Sequence, residues 1–85
     1  MLLYAPFPSR AKNKKYSVYV EGPAGPRLIH FGDSRYEHYK DTLGWYERLD
    51  HGDKERRRRY YARHGRTRDK NTALYWANRV LWPED

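Results

Sequence analysis

The sequence predicts a small α+β domain, because a strand pattern in its first half is followed by two helix patterns in its second half. Apolar residues alternate over 15–21, and a short β-rich run follows at 28–31. Together these two runs indicate an antiparallel hairpin. Two later stretches, 53–65 and 71–83, carry helix-capping or helix-stopping residues at both ends and predict two short helices.

The first 14 residues predict an extended basic arm ahead of a single compact domain over 15–85. The arm holds two prolines, several cations and no acidic residue, a composition typical of an extended segment. Its apolar tip consists of Leu2, Leu3, Tyr4 and Phe7. This tip is too apolar for a free tail, so we expect it either to pack back on this domain or to dock into a neighbouring subunit.

The hairpin prediction depends on Tyr16, Val18 and Val20, which alternate with other residues and therefore point to one face of a strand. Residues 22–26 contain two glycines and two prolines, which is typical of a turn. Their number predicts a loop longer than the minimal two residues. We expect the second strand to end at 32–34.

The stretch 35–50 fits neither the strand period nor the helix period. Its aromatic and aliphatic residues stand among charged ones without regular spacing. Short helical turns and a third strand around 45–49 are both compatible with it, and the sequence does not decide between them.

The two helices have clearer boundaries. Asp53 is expected to cap the first helix, because its carboxylate can accept the unpaired backbone N–H groups of the first turn. Gly65 is expected to end that helix, since glycine readily adopts the left-handed conformation found there. The second helix is expected to start after Asn71 or Thr72 and to stop before Pro83.

Aromatic side chains make up 16% of the chain, so the core is expected to consist largely of rings. We expect Tyr60, Trp76 and Trp82 to be structural, with the hairpin closing over the Tyr60 and Tyr61 side of the first helix. Exposed tyrosines could instead stack on single-stranded bases. The candidates are Tyr16, Tyr19 and Tyr36. Because aliphatic residues are few, we expect most rings to be buried.

The net charge of +7 is concentrated in two places. Residues 53–70 hold nine basic and three acidic side chains, and residues 1–15 hold four basic and no acidic ones. Consecutive arginines surround a helix on all sides, so we expect this end of the helix to project beyond the core. The array would attract nucleic-acid phosphates or acidic protein surfaces. The predicted anion-binding residues are Arg56, Arg57, Arg58, Arg63, Arg66, Arg68, Lys70, Lys12 and Lys14.

Two alternatives without a binding partner compete with this interpretation. The arginines could simply be solvated, or could form surface ion pairs with the acidic middle of the chain, which contribute little to stability. One pair is predicted to be structural. Asp33 follows the hairpin directly and is expected to receive Arg59 or Arg63 in a buried or half-buried pair.

No pattern in the sequence predicts catalysis, a metal or a cofactor. The absence of cysteine excludes disulfides, thiolate catalysis and cysteine-based zinc sites. The four histidines do not have metal-ligand spacing, and His38 and His51 are expected on the surface or in turns. Neither a nucleophile elbow nor a phosphate-binding loop is present. We expect neither an enzyme nor a small-molecule substrate, and the short apolar runs predict no membrane span.

Five ordered blocks carry a family resemblance. They are KYSVYV at 15–20, IHFGD at 29–33, RYYARH at 59–64, ALYW at 73–76 and LW at 81–82. With them the chain resembles a family of small basic proteins encoded by large DNA viruses of eukaryotes and, more distantly, by marine tailed phages. The family has no established activity. The resemblance implies a viral origin and a place in the virion, after synthesis in the host cytoplasm or nucleus.

These observations lead to one functional prediction and two alternatives. The prediction is a non-enzymatic minor capsid or cementing protein whose basic helix binds acidic surfaces of viral coat proteins or the packaged genome. The first alternative is a sequence-independent nucleic-acid-binding protein that contacts DNA phosphates inside the infected cell. A host-directed inhibitor that masks a charged surface is the second.

Overall fold

The computed structural model describes residues 1–84 and confirms the α+β fold, in which a sheet precedes two helices. The elements are β1 (Phe7–Pro8), β2 (Lys14–Gly22), β3 (Gly25–Asp33), a 3₁₀ turn (Glu47–Leu49), α1 (Lys54–His64) and α2 (Ala73–Leu81). None of the helices described is long and apolar enough to cross a lipid bilayer.

The sheet contains three antiparallel strands in the order β1-β2-β3. Gly22 pairs with Gly25, so Pro23 and Ala24 alone form the hairpin loop. The prediction of a longer loop is therefore wrong. The proline ring fixes a φ that suits the first position of a tight turn, and Gly25, at φ 116°, adopts a conformation that other residues rarely reach.

The core lies between the sheet and α2. Tyr16, Val18 and Val20 are each 0% exposed, which confirms the predicted buried face of β2. On the opposite side, Val80 and Leu81 of α2 belong to the same cluster of buried side chains. Complete burial of a side chain such as valine or leucine stabilises a fold by about 1.5–3 kcal/mol.

The N-terminal arm is part of the sheet. Its strand β1 pairs with β2, and the Tyr4 N–H donates to the Tyr19 carbonyl at 2.8 Å. The Tyr4 ring stacks on Trp76 at a centroid distance of 6.4 Å, and Phe7 stacks on Tyr19. Of the two predicted alternatives, Tyr4 and Phe7 follow the first, in which the arm packs back on this domain. The predicted boundary also shifts, because Lys14 already belongs to β2.

Both helices have the predicted caps. The Asp53 carboxylate accepts the N–H groups of Glu55 and Arg56, and the first helix ends at Gly65, whose φ is 74°. In α2 the Thr72 hydroxyl accepts the Tyr75 N–H. These contacts satisfy backbone groups that a helix leaves unpaired at its ends.

Helix α1 packs on the C-terminal end of α2. The Tyr60 ring stacks on Trp82 with centroids 4.2 Å apart and planes 7° apart, and its hydroxyl donates to Asn78 at 2.8 Å. The Tyr61 hydroxyl donates to the Trp82 carbonyl at 2.5 Å. The sequence had suggested that the hairpin face covers these two tyrosines. They pack mainly on α2 instead, because α2 itself occupies the hairpin face.

The segment 34–52 has little regular structure but is firmly attached. Of the two alternatives that the sequence left open, short helical turns are found, in the 3₁₀ turn over 47–49. Backbone N–H groups of Lys40 and Thr42 donate to carbonyls at the end of α2. A single bridge joins His38 to Asp50 and closes the segment on itself.

Candidate functional site

A groove of about 690 Å³ lies between α1 and the end of β3, and residues from the end of α2 complete it. We call it the basic groove. Its ionisable lining consists of Lys15, Asp33, Glu37, Arg56, Arg59, Arg63 and His64, together with Tyr36 and Tyr60. Most of the cations come from one side of α1.

Helix geometry explains why three arginines share the groove. Arg56, Arg59 and Arg63 are three and four positions apart, so they project from the same side of α1. Tyr60 holds this side in place through its stack on Trp82. Burial raises the pKa of the Tyr60 hydroxyl above its ordinary value, so this group stays neutral near pH 7.

Within residues 1–84, two of the three groove arginines form no ion pair. Arg56 donates to the Glu37 carboxylate at 2.9 Å. Arg59 and Arg63 are exposed, and neither forms a hydrogen bond or an ion pair with any residue in 1–84. Two guanidinium charges therefore face the groove without a carboxylate in contact.

The predicted pair between Asp33 and Arg59 or Arg63 is not formed. Asp33 instead binds Arg35, whose guanidinium donates through Nε at 3.0 Å and Nη2 at 2.8 Å. These hydrogen bonds hold the pKa of the Asp33 carboxyl near 2. Asp33 binds Arg35 because residues two positions apart in a turn come into contact without further ordering of the chain. Arg59 therefore does not have its predicted structural role.

Arg57 turns away from the groove and has a structural role. Its Nη1 donates to the Pro83 carbonyl at 2.7 Å, and its guanidinium lies 4.2 Å from the centre of the Tyr39 ring. A cation over an aromatic face and a hydrogen bond to a carbonyl both stabilise the chain that follows α2. The sequence did not predict this use of Arg57.

Two further predicted cations bind carboxylates of their own chain. Arg58 pairs with Glu55 on the preceding turn of α1. Arg66 pairs with Glu84 through two hydrogen bonds, at 2.7 and 2.6 Å, and its guanidinium lies over the Tyr61 ring. All of these charged groups are largely exposed, so each pair contributes at most about 1 kcal/mol.

The remaining predicted cations are dispersed. The Lys70 ammonium lies 4.3 Å from the centre of the Tyr4 ring, in a second depression on another side of α2. Lys12 and Arg68 are exposed. Lys14 is exposed as well and pairs in register with Asp33, at the strand end that borders the groove.

At the apolar tip, Met1 and Leu2 are about 80% and 77% exposed. Leu3 and Phe7 are less exposed, at 36% and 37%. Of the predicted docking tip, Leu2 is therefore largely exposed, whereas Tyr4 packs on Trp76 and Phe7 on Tyr19.

A buried polar network below the groove was not predicted. Lys15 is 2% exposed, and its ammonium donates to the Tyr36 carbonyl at 2.8 Å and to His38 Nδ1 at 2.7 Å. Burial lowers the pKa of Lys15 to about 8, although Asp41 and Asp33 act in the opposite direction. The only hint in the sequence is a lysine placed immediately before the buried strand pattern.

His38 corrects a second expectation. It is 1% exposed, whereas the sequence suggested a surface or turn position. Its Nε2 donates to the Asp50 carboxylate at 2.6 Å, which leaves Nδ1 to accept from Lys15. Burial and the neighbouring Lys15 lower the pKa of His38, against the opposing effect of Asp50. The histidine is therefore neutral near pH 7 and links the strand to the segment 34–52.

Asp41 organises the other half of this segment. Its carboxylate accepts the Tyr16 hydroxyl at 2.5 Å and the backbone N–H groups of Tyr46 and Leu43 at 2.7 and 2.9 Å. Burial acts to raise the pKa of this carboxyl, but the hydrogen bonds outweigh burial and lower it. Asp41 is thus a buried anion with full hydrogen bonding.

Metal-ligand geometry is not found in residues 1–84, where no three histidine or carboxylate side chains are placed to hold an ion together. His38 binds Asp50 through Nε2 and Lys15 through Nδ1, and His51 Nδ1 accepts the Asp53 N–H at 2.9 Å. What the basic groove offers chemically is guanidinium groups for an anion and one exposed phenol ring, that of Tyr36.

Comparison with known proteins gives one match. The model of a family of unknown function (DUF5754) matches residues 7–43. No curated protein and no solved structure matches the chain. The match covers the whole sheet and the first part of the segment after it, and it ends before α1. It therefore includes the strand side of the basic groove and part of the buried network, but none of the helix arginines.

Proposed function

We propose that this protein is a non-enzymatic nucleic-acid-binding protein that contacts phosphates in the basic groove without reading sequence. The observation that carries the proposal is the pair Arg59 and Arg63, which line the groove and contact no carboxylate of residues 1–84. Guanidinium groups bind phosphate oxygens with two parallel hydrogen bonds and retain their charge at all relevant pH values.

The surroundings of this pair support the same function. Arg56 and His64 line the groove, and Lys14 lies at its strand end. With a net charge of +7, the protein also attracts polyanions over longer distances. Phosphate contacts of this kind position a nucleic acid but carry no sequence information.

The test is a titration of labelled single-stranded and duplex DNA of equal length across a salt series. Arg59→Gln combined with Arg63→Gln removes two phosphate contacts. We expect binding to weaken and the slope of log K against log salt to fall by about 1.5, because each phosphate contact adds about 0.7–0.9 to that slope.

A charge-matched control separates the groove from the general field of the protein. Arg58→Gln combined with Arg68→Gln lowers the net charge equally but leaves the groove arginines in place. We expect it to change binding much less. Equal losses in both double variants, or no binding by the unmodified protein at low salt, would contradict the proposal.

A second candidate is a minor component of a virus particle that binds acidic coat-protein surfaces. The observation in its favour is that Arg56, Arg58 and Arg66 already bind carboxylates within this molecule. The family resemblance supplies the viral setting. Mass spectrometry of purified particles tests it, since a structural component is expected in a fixed ratio to the coat protein and its absence would remove this candidate.

A further inference from the structure

We propose that the basic groove takes single-stranded rather than duplex nucleic acid, with one base stacked on Tyr36 and the flanking phosphates on Arg59 and Arg63. This inference rests on the proposed function and specifies its ligand. Tyr36 lines the same groove as the two arginines, and it is 64% exposed. Most other tyrosines are buried or half-buried.

The Tyr36 ring is exposed, and the backbone that carries it is held in position. Its carbonyl accepts from the buried Lys15 ammonium at 2.8 Å, and its N–H donates to the Asp33 carbonyl at 3.1 Å. The Arg35 guanidinium lies 5.7 Å from the ring centre and is itself held by Asp33. Within residues 1–84, the ring packs on no other aromatic side chain. Because the backbone is already held, a base can stack on the ring without a rearrangement of the backbone.

The arrangement of charge and ring favours a single strand. A base can stack on a protein side chain only when its own face is free, and duplex bases are already stacked on each other. Arg59 and Arg63 are four residues apart on a helix, about 6 Å along its axis, which is comparable with the distance between neighbouring phosphates of an extended strand. One strand could therefore run along the helix while one base turns toward Tyr36.

The other aromatic side chains do not offer the same combination. Tyr60 lines the groove but is buried and stacked on Trp82. In the depression on the other side of α2, Tyr4 and Trp76 stack on each other. Trp45 is 68% exposed but does not line the groove. Among the tyrosine, tryptophan and phenylalanine rings of residues 1–84, Tyr36 alone is exposed in the groove that Arg59 and Arg63 line.

The experiment compares Tyr36→Ala with the unmodified protein on a labelled oligo-dT strand and on a duplex of the same length. We expect the unmodified protein to prefer the single strand. Tyr36→Ala should lose about tenfold in affinity for the strand, because stacking of one base contributes a factor of this order, and should keep its affinity for the duplex. Tyr36→Phe retains the ring and should bind as the unmodified protein does.

Trp45→Ala is the matched control, since it removes an equally exposed ring outside the groove. Among residues 1–84 the Tyr36 hydroxyl has no hydrogen-bond partner, so replacement of this exposed side chain should leave the melting temperature unchanged. Equal affinity for strand and duplex, together with an unaffected Tyr36→Ala variant, would overturn the single-strand inference. The phosphate-binding proposal would then still stand if the double variant at Arg59 and Arg63 weakened binding to both DNAs.

Discussion

Lys15 and Arg59 both border the basic groove, yet they are used in opposite ways. Lys15 is 2% exposed and donates to a carbonyl and to His38, within a buried network that Asp50 completes. Arg59 is exposed and has no ion pair in the described chain. The comparison shows that the number of cations in a sequence does not indicate how many are available to a partner.

The difference has a physical cause. Lys15 starts from a strand in the centre of the sheet, so its charge cannot reach water freely and must have acceptors nearby. Leaving a buried charge unpaired costs several kcal/mol. An arginine on the outer side of α1 loses little by staying hydrated, and even a surface ion pair adds only about 0–1 kcal/mol. A buried cation such as Lys15 therefore requires hydrogen-bond partners within the protein, whereas an exposed cation such as Arg59 does not.

The largest loss of stability is expected for Asp41→Ala, in the buried region. The change leaves the Tyr16 hydroxyl and two backbone N–H groups without an acceptor in a buried site. We expect the free energy of unfolding, measured by urea denaturation, to fall by about 3 kcal/mol.

Asp33→Ala is the matched control for Asp41→Ala, because that carboxylate also accepts several hydrogen bonds but lies at the surface. We expect no clear change in its urea midpoint. If the two alanine variants lost the same stability, the distinction between the buried and exposed regions would be wrong.

A smaller loss of stability is expected when the pH is lowered, because the buried network contains His38. The pKa of His38 is below its ordinary value of 6.5 in the folded protein, so the unfolded chain binds more protons between that lowered pKa and 6.5. Stability should therefore decrease as the pH falls below about 6.5, by at most about 1.4 kcal/mol per pH unit. Protonation would also place a donor at Nδ1 against the Lys15 ammonium, 2.7 Å away.

Urea midpoints at several pH values between 5 and 7 measure this dependence, below the range in which Lys15, with a pKa of about 8, titrates. His38→Gln should flatten it, leaving a smaller slope from His51, whose pKa is also lowered, by burial and by Arg56. A His38→Gln variant that kept the full slope would show that the network does not respond to protonation of His38.

The smallest difference in stability is expected between alanine variants of two neighbouring arginines of α1, Arg57 and Arg58. Arg57→Ala removes a hydrogen bond to the Pro83 carbonyl and a contact with the Tyr39 ring. We expect a loss of about 1 kcal/mol in thermal or urea unfolding. Arg58→Ala removes only an exposed pair with Glu55 and should leave the melting temperature unchanged. The reverse order would contradict the assignment of Arg57 to structure.

Local signals predicted most of the fold. The alternation of Tyr16, Val18 and Val20 identified a strand with one buried face, and Asp53 and Thr72 identified helix starts, because these features depend on neighbouring residues only. The hairpin loop was predicted too long, since the pairing of Gly22 with Gly25 is set by the strands and not by the turn residues. The segment 34–52 was not predictable, because contacts with distant residues hold it.

The candidate site was predictable only in part. The sequence indicated a basic side of the first helix, and Arg63 is indeed one of its exposed cations. It assigned Arg59 or Arg63 to Asp33 and did not anticipate that Arg35 would bind Asp33 instead. It also weighed Tyr36 together with other tyrosines as a stacking residue, although Tyr16 is fully buried and only Tyr36 is both exposed and beside the arginines.

By itself the sequence determined the elements, their caps, the buried face of β2 and the concentration of positive charge in residues 53–70, because periodicity, capping and composition act over short distances. Tertiary structure decided which charged groups have partners within the molecule. Lys15 meets His38, and Arg66 meets Glu84, across many residues of chain. These long-range contacts depend on how the segment 34–52 and the two helices pack on the sheet, and no local sequence pattern encodes that packing.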